Sequence, residues 1–125
     1  MLLPYARRVE WSLETMTSQT ETLPAGLLEE IVRRLVEALK PEQIILFGSY
    51  AYGEPNKDSD VDLLIIVSDS DESRYRRSCQ AYRALRGIMI PTDLLVLTRA
   101  EVEYKVNVLS SLISQAVRQG RVLYG

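Results

Sequence analysis

Residues 61–67, Val-Asp-Leu-Leu-Ile-Ile-Val, restrict the fold of this 125-residue chain more than any other stretch. A strand sends alternate side chains to opposite faces, so a run that is apolar at both parities needs cover on both sides. Asp62 is the one polar break, and Asp60 stands two residues before it. A second apolar segment, Ile44-Ile45-Leu46-Phe47, runs directly into Gly48-Ser49, and a polar loop joins the two strands. A Gly-Ser turn at the end of one buried strand, with carboxylates opening the next, has the makings of a phosphate cradle beside a metal site.

The other elements follow from periodicity. Leu27, Leu28, Ile31, Val32, Leu35, Val36 and Leu39 recur at helical spacing. Thr22 can cap this helix, Pro24 suits its first turn, and Lys40-Pro41 stops it. The first strand spans 43–47. After a polar turn over 68–73, a helix is expected over 72–86, ended by Gly87, with Tyr75, Cys79, Tyr82 and Leu85 on one stripe as core or interface. Arg74, Arg76, Arg77, Arg83 and Arg86 read as an exposed basic face of that helix. A third strand covers 92–98. Thr98-x-x-Glu101 is a capping box for a last helical region carrying Val102, Val106, Leu109, Ile113 and Val117, with a break near 107–110. Val122-Leu123-Tyr124 adds a short edge strand. Tyr50 and Tyr52 read as packing residues and Lys57 as a solvated charge. Residues 1–21 show only weak periodicity and are expected to form an N-terminal extension to a single domain over 22–125.

The connections bring the polar residues together. Asp60 and Asp62 are two apart on a strand, so their carboxylates project from one face. The link between the first two strands is short and contains turn formers (Gly53, Pro55, Asn56), which predicts an antiparallel pair with Gly48-Ser49 and Asp60 at the same sheet edge. A full helix then separates the second and third strands, as in a parallel, right-handed crossover. That crossover returns Asp93, on the third strand, to the same edge. A carboxylate inside an apolar strand costs several kcal/mol unless a cation or hydrogen bonds compensate it. Gly48 lets backbone amides approach a phosphate, and Ser49 can donate from its hydroxyl and its N–H. Asp60 and Asp62 can bridge magnesium ions to phosphates, and Asp93 completes a second metal position where an incoming hydroxyl is polarised.

Composition removes most competing chemistries. The chain has no histidine, which excludes Ser-His-Asp and Cys-His catalysis and His-ligated zinc. Cys79 is its one cysteine, so neither an internal disulfide nor a thiolate metal site can form. A metal must then be held by oxygen, which favours magnesium, calcium or manganese. The net charge of −2 gives no basic field for nucleic acid, which is disfavoured as a partner. No apolar run reaches membrane-spanning length and the N-terminus lacks a signal-peptide pattern, so cytoplasmic residence is expected.

Gly48-Ser49, ten intervening residues and Asp60-x-Asp62, with Asp93 on a later strand, resemble the nucleotidyltransferase superfamily related to the DNA polymerase β palm. The likeness runs from about Leu27 to Tyr124, and within the superfamily the chain is similar to the minimal nucleotidyltransferase (MNT) antitoxins of prokaryotes. It is carried by Leu46-Phe47-Gly48-Ser49-Tyr50-Ala51-Tyr52-Gly53, Ser59-Asp60-Val61-Asp62-Leu63, Pro91-Thr92-Asp93-Leu94-Leu95-Val96 and Arg118-Gln119-Gly120-Arg121-Val122-Leu123-Tyr124. The resemblance implies an α/β (α+β) nucleotidyltransferase fold with a small mixed sheet flanked by helices. It implies a magnesium-dependent enzyme that transfers AMP from ATP, with Asp60, Asp62 and Asp93 as catalytic and metal-binding residues and Gly48 and Ser49 holding the nucleotide. It also implies a partner, a helical HEPN-domain toxin neutralised by modification of a tyrosine. A chain this short has no room for the acceptor-binding domain of larger relatives, so the acceptor surface is expected from another chain or from self-association in a homo- or hetero-oligomer. One departure is Tyr52, where many relatives carry arginine. It motivates the alternative of an antitoxin acting by binding alone; nucleotide transfer to a small molecule of the aminoglycoside type is a further alternative.

Overall fold

The computed structural model describes residues 7–8, 23–53, 55–56, 58–107 and 112–125. The apolar run forms β3 (Val61–Val67), which lies antiparallel to β2 (Gln43–Phe47) and parallel to β4 (Thr92–Thr98). On the other side of β2, β5 (Arg121–Tyr124) runs antiparallel, and the two-residue β1 (Arg7–Arg8) pairs parallel to β5. The sheet is therefore mixed, in the order β1-β5-β2-β3-β4. The three central strands, their directions and the crossover agree with the sequence reading. The tail strand does not sit at the edge as expected, because β1 pairs with its outer side.

Alternation divides the strand residues between two cores. Ile44, Leu46, Leu63, Ile65 and Val96 pack under α1 (Leu27–Leu39) and α3 (Arg74–Ala84) with Leu28, Ile31, Leu35 and Ala81. Ile45, Phe47, Leu64, Ile66 and Leu97 pack on the other face against α4 (Arg99–Lys105) and α5 (Leu112–Gln119) through Val102, Ile113, Ala116 and Val117. Each such side chain contributes about 1.5–3 kcal/mol when fully buried, which is why β3 tolerates no polar residue after Asp62. No described helix is long and apolar enough to cross a membrane.

Helix boundaries differ from the periodic reading for local reasons. Helix α1 starts at Leu27, because Pro24 lies in a turn closed by the Leu27 amide on its carbonyl (3.2 Å) and Gly26 takes the left-handed N-cap position. The capping role expected of Thr22 lies outside the described residues, as does Lys57. Helix α3 starts after Ser73, whose hydroxyl accepts the Arg76 amide (3.1 Å).

Its buried face is also not the expected one. Tyr75 and Tyr82 are 78% and 44% exposed, whereas Arg77 and Ala81 are buried. Arg77 thus leaves the basic face to which its sequence neighbours assigned it. Its guanidinium donates to both Glu101 carboxylate oxygens (2.7 and 3.1 Å) and to the Val96 carbonyl (3.1 Å), compensating the charge and letting its stem pack. Glu101 completes the predicted capping box with Thr98 at the start of α4. The expected break in the last helical region is present, since α4 ends at Lys105 and α5 begins at Leu112; Leu109 lies outside the described residues.

Candidate active site

The site forms where β2 ends and β3 and β4 begin. Phe47 pairs with Asp62 across the antiparallel ladder, and Asp62 pairs with Asp93 across the parallel one. Gly48 follows Phe47 directly, so one row across the sheet edge holds the Gly-Ser turn and two carboxylates. Asp62 shares its parity with Leu64 and Ile66, and Asp93 shares its parity with Leu97, so both stand on the face that carries α4 and α5.

Gly48 is required here by conformation and by space. Its φ of 77° and ψ of −162° belong to a region open essentially only to glycine. A Cβ on Gly48 would lie 3.0 Å from Asp62 Cγ and closer still to Oδ2. The backbone therefore passes directly against the carboxylate. The chain then enters the short helix α2 (Ser49–Tyr52), in which the Ala51 and Tyr52 amides donate to the Gly48 carbonyl (3.0 and 3.1 Å). Gly48→Ala is expected to cost about 1–3 kcal/mol in backbone strain and to displace Asp62. Paired urea melts and nucleotide titrations of wild type and variant check this, and an unchanged midpoint with unchanged nucleotide affinity would refute it.

Electrostatics single out Asp62. Burial pushes its carboxyl up to about 6, and the charges of Asp93 and Asp60 push in the same direction. Asp60, on the chain just before β3, and Asp93 are exposed while Asp62 is half-buried. The three carboxylates are thus electrostatic neighbours. Among the described residues, though, no three acidic or cysteine side chains are gathered around a single point. The donor set nevertheless fits a hard divalent cation: it is all oxygen, and like-charge repulsion at Asp62 is what a bound cation relieves.

Two tyrosines stand beside the site, Tyr82, read as core or interface, and Tyr52, read as a packing residue. The Tyr82 hydroxyl accepts the Leu94 amide (3.0 Å) and approaches Asp93 Oδ1 (3.5 Å), so it satisfies the outer edge of β4 and holds Asp93. Its place on the helical stripe signals contact with the sheet but says nothing of the hydroxyl's partner. Tyr50 is buried as expected, but Tyr52 is 37% exposed and turned towards the Gly-Ser turn. Burial pushes the Tyr52 phenol above its ordinary value, a backbone hydrogen bond from Gly48 works against this, and the Asp62 charge adds to it. Tyr52 stands four residues after Gly48, one helical turn on, and that spacing is the signal that could have placed it.

Comparison with known proteins agrees with this fold. Residues 28–119 match the family described as the nucleotidyltransferase domain. A protein of Methanocaldococcus jannaschii named as a protein adenylyltransferase, MJ0604, is 33% identical over 102 residues, covering 77% of this chain and 97% of that protein. A second protein so named from the same organism, MJ0141, is 28% identical over 65% of this chain and 77% of its own length. Among solved structures, a Sulfolobus solfataricus protein described as a nucleotidyltransferase superposes with a TM-score of 0.58 at 22% identity, over 91% of this chain and 89% of that one. The MntA-HpeT toxin-antitoxin structure gives a TM-score of 0.55 at 23% identity, over 78% of this chain and 72% of that one. These two likenesses are of fold.

Proposed function

The chain belongs to the nucleotidyltransferase domain family, and from that premise we propose that it transfers AMP from ATP to a hydroxyl on a partner protein, as a magnesium-dependent antitoxin acting on a helical HEPN-domain toxin in the cytoplasm. The observation that carries the reading is the row formed by Gly48, Asp62 and Asp93 across one sheet edge, with Asp60 beside it. Two relatives named as protein adenylyltransferases support a protein acceptor, and the MntA-HpeT likeness supports a toxin as that partner.

In this reading Gly48 and Ser49 bind the phosphates, since the turn bares backbone amides without a side chain in the way. Asp60 and Asp62 would hold magnesium, and Asp93 would complete the second position. When bound, magnesium supplies neutralisation of the charge on the phosphate oxygens. The acceptor oxygen bonds to the α-phosphorus and the bond from that phosphorus to the bridging oxygen breaks. Pyrophosphate leaves with the electron pair, and the hydroxyl proton departs towards the Asp93 carboxylate, which Tyr82 holds in place.

The test is to incubate the protein with α-labelled ATP, magnesium and its toxin. Label is expected on the toxin with wild-type protein and none with Asp60→Ala/Asp62→Ala. If the double variant labels and neutralises as well as wild type, the proposal is wrong. Tyr52, which presents a phenol beside Gly48, favours a second reading in which the protein neutralises by contact alone. In that case the double variant still neutralises and neither protein transfers label.

A further inference from the structure

Residues 73–92, which carry α3 and its link to β4, contain five arginines and no acidic residue, in a chain of net charge −2. Arg77 is neutralised inside the fold by Glu101, whereas Arg76, Arg83 and Arg86 are exposed. Tyr75, Cys79 and Tyr82 fall at i, i+4 and i+7, so they form one seam along α3, turned away from buried Arg77, Ala81 and Leu85. Tyr75 and Cys79 share a groove of about 380 Å³ with Arg76, Arg83, Gln80 and Glu72. Glu72 stands 3.9 Å from Arg76 with both side chains exposed, a contact that solvent screens.

The seam leads to the site. At its far end the Tyr82 hydroxyl lies 3.5 Å from Asp93 Oδ1. Gly87 (φ 91°) then turns the chain into the link that carries Met89, which at 94% is the most exposed large apolar side chain among the described residues. The link is held at both ends. The Arg34 guanidinium donates to the Arg86 carbonyl (2.7 Å), and the Pro91 carbonyl accepts the Val61 amide (3.0 Å), between Asp60 and Asp62. A braced, exposed surface of aromatic and apolar groups therefore runs from Tyr75 to the carboxylate row.

We propose that this face docks a partner protein through an amphipathic helix, whose apolar stripe lies along Tyr75, Cys79 and Tyr82 and whose Asp and Glu side chains face Arg76, Arg83 and Arg86. Resting on the nucleotide-transfer reading of the site, this assignment supplies the surface that carries the acceptor hydroxyl to Asp93. Charge and spacing decide the occupant. A second copy of this chain meeting α3 through its own α3 would set arginine against arginine, which costs affinity. A nucleic acid would meet the arginines but leave the seam unused, and its charge has the sign of the whole chain's. A helix with acidic flanks matches both the three- and four-residue spacing and the cations.

Fluorescence anisotropy of the full chain with a labelled helical peptide of about three heptads, leucine at its a and d positions and glutamate beside them, tests the assignment. The same peptide with lysine for glutamate is the control. Wild type is expected to bind the glutamate peptide in preference. Arg83→Glu/Arg86→Glu should weaken that binding by at least about tenfold and reverse the preference, a reversal that also shows the variant to be folded. Tyr75→Ala should weaken it without reversing the preference. Wild type that binds neither peptide or both equally, or a double variant with unchanged preference, overturns the proposal. So does tighter binding of a polyuridylate RNA than of the glutamate peptide, or a wild-type dimer that Tyr75→Ala dissolves. In the labelling assay the double variant should raise the KM for the toxin and leave that for ATP unchanged. Wild type that binds the glutamate peptide but transfers no label would refute the transfer reading and leave this surface standing. Normal transfer with an unchanged KM for the toxin in the double variant would refute the surface alone.

Discussion

Asp62→Asn should lower nucleotide transfer by on the order of 10³-fold or more while making the metal-free protein more stable at pH 7. The two effects share one cause. Asp62 is half-buried, with Asp93 beside it and Asp60 close by, and its carboxyl is pushed up to about 6 by burial and by those two charges. At pH 7 it is ionised against that gradient, which destabilises the folded state. The ordinary value is 3.8, so stability is fully present below about pH 4 and declines as the pH rises to about 6. After discounting for solvent screening, this amounts to about 1–2 kcal/mol. Asparagine removes the charge and keeps the shape.

For catalysis the same change removes a metal ligand. A bound cation stabilises transition-state charge by several kcal/mol, and each 1.36 kcal/mol is about tenfold in rate. Melts of wild type and Asp62→Asn in EDTA at pH 4 and pH 7 check the stability half; the variant should gain only at the higher pH. Labelling of the partner by the variant, compared with wild type in magnesium, checks the other half. A variant that is less stable at pH 7, or that transfers normally, would remove Asp62 from the role given it here.

Glu101→Ala is expected to lose about 2–4 kcal/mol, because deleting one partner of a fully buried ion pair costs about 3–5 kcal/mol and here Arg77 is buried while the Glu101 side chain is 32% exposed. That is a large share of the roughly 5–15 kcal/mol that stabilises a typical domain. Arg77 is 5% exposed, and its Nε is already buried without a hydrogen-bond partner among the described residues. Without Glu101, the guanidinium would keep, among the described residues, the Val96 carbonyl. Glu101 also accepts the Thr98 amide (2.8 Å), so the start of α4 loses that half of its capping box as well, while the residue-101 amide can still donate to the Thr98 hydroxyl (3.2 Å). Glu101→Gln can keep the cap and should recover the smaller part of the loss. Urea melts of the three proteins separate the two contributions, and a Glu101→Ala loss below about 1 kcal/mol, the median for an exposed pair, would refute the account.

The pair also gives the fold an acid limit. Hydrogen bonding to Arg77 foremost, and to Thr98, holds the Glu101 carboxyl down at about 2, against an ordinary 4.5. A depressed carboxyl stabilises the fold above its ordinary value, and that stability is lost as the pH falls from about 4.5 towards 2. The Glu101→Gln variant should lack this decline.

Much of the architecture was legible because it depends on order along the chain. Strand alternation, the short turn-rich link after Phe47 and the helix between β3 and β4 settle directions and neighbours, and with them the shared edge of Gly48, Asp62 and Asp93. The capping box at Thr98 was readable for the same reason, since both partners lie within one turn. The stripe read on helix α3 was right only in part: Leu85 is buried as expected, but Tyr75 and Tyr82 are exposed, and Ala81 and a neutralised Arg77 complete the face that packs. The carboxylate that permits Arg77 to be buried, that of Glu101, lies 24 residues away, and no local pattern announces it.

The candidate site divides along the same line. By itself the sequence determined that a Gly-Ser turn and carboxylates meet at one edge of a sheet covered on both faces, and that without histidine any metal there is held by oxygen. Only the tertiary structure decided that Gly48 lies against the Asp62 carboxylate and that Tyr82 reaches around the β4 edge to Asp93. Periodicity and connection length fix which backbone segments become neighbours. Which side chains meet, and at what cost in charge, depends on packing between segments far apart in the chain.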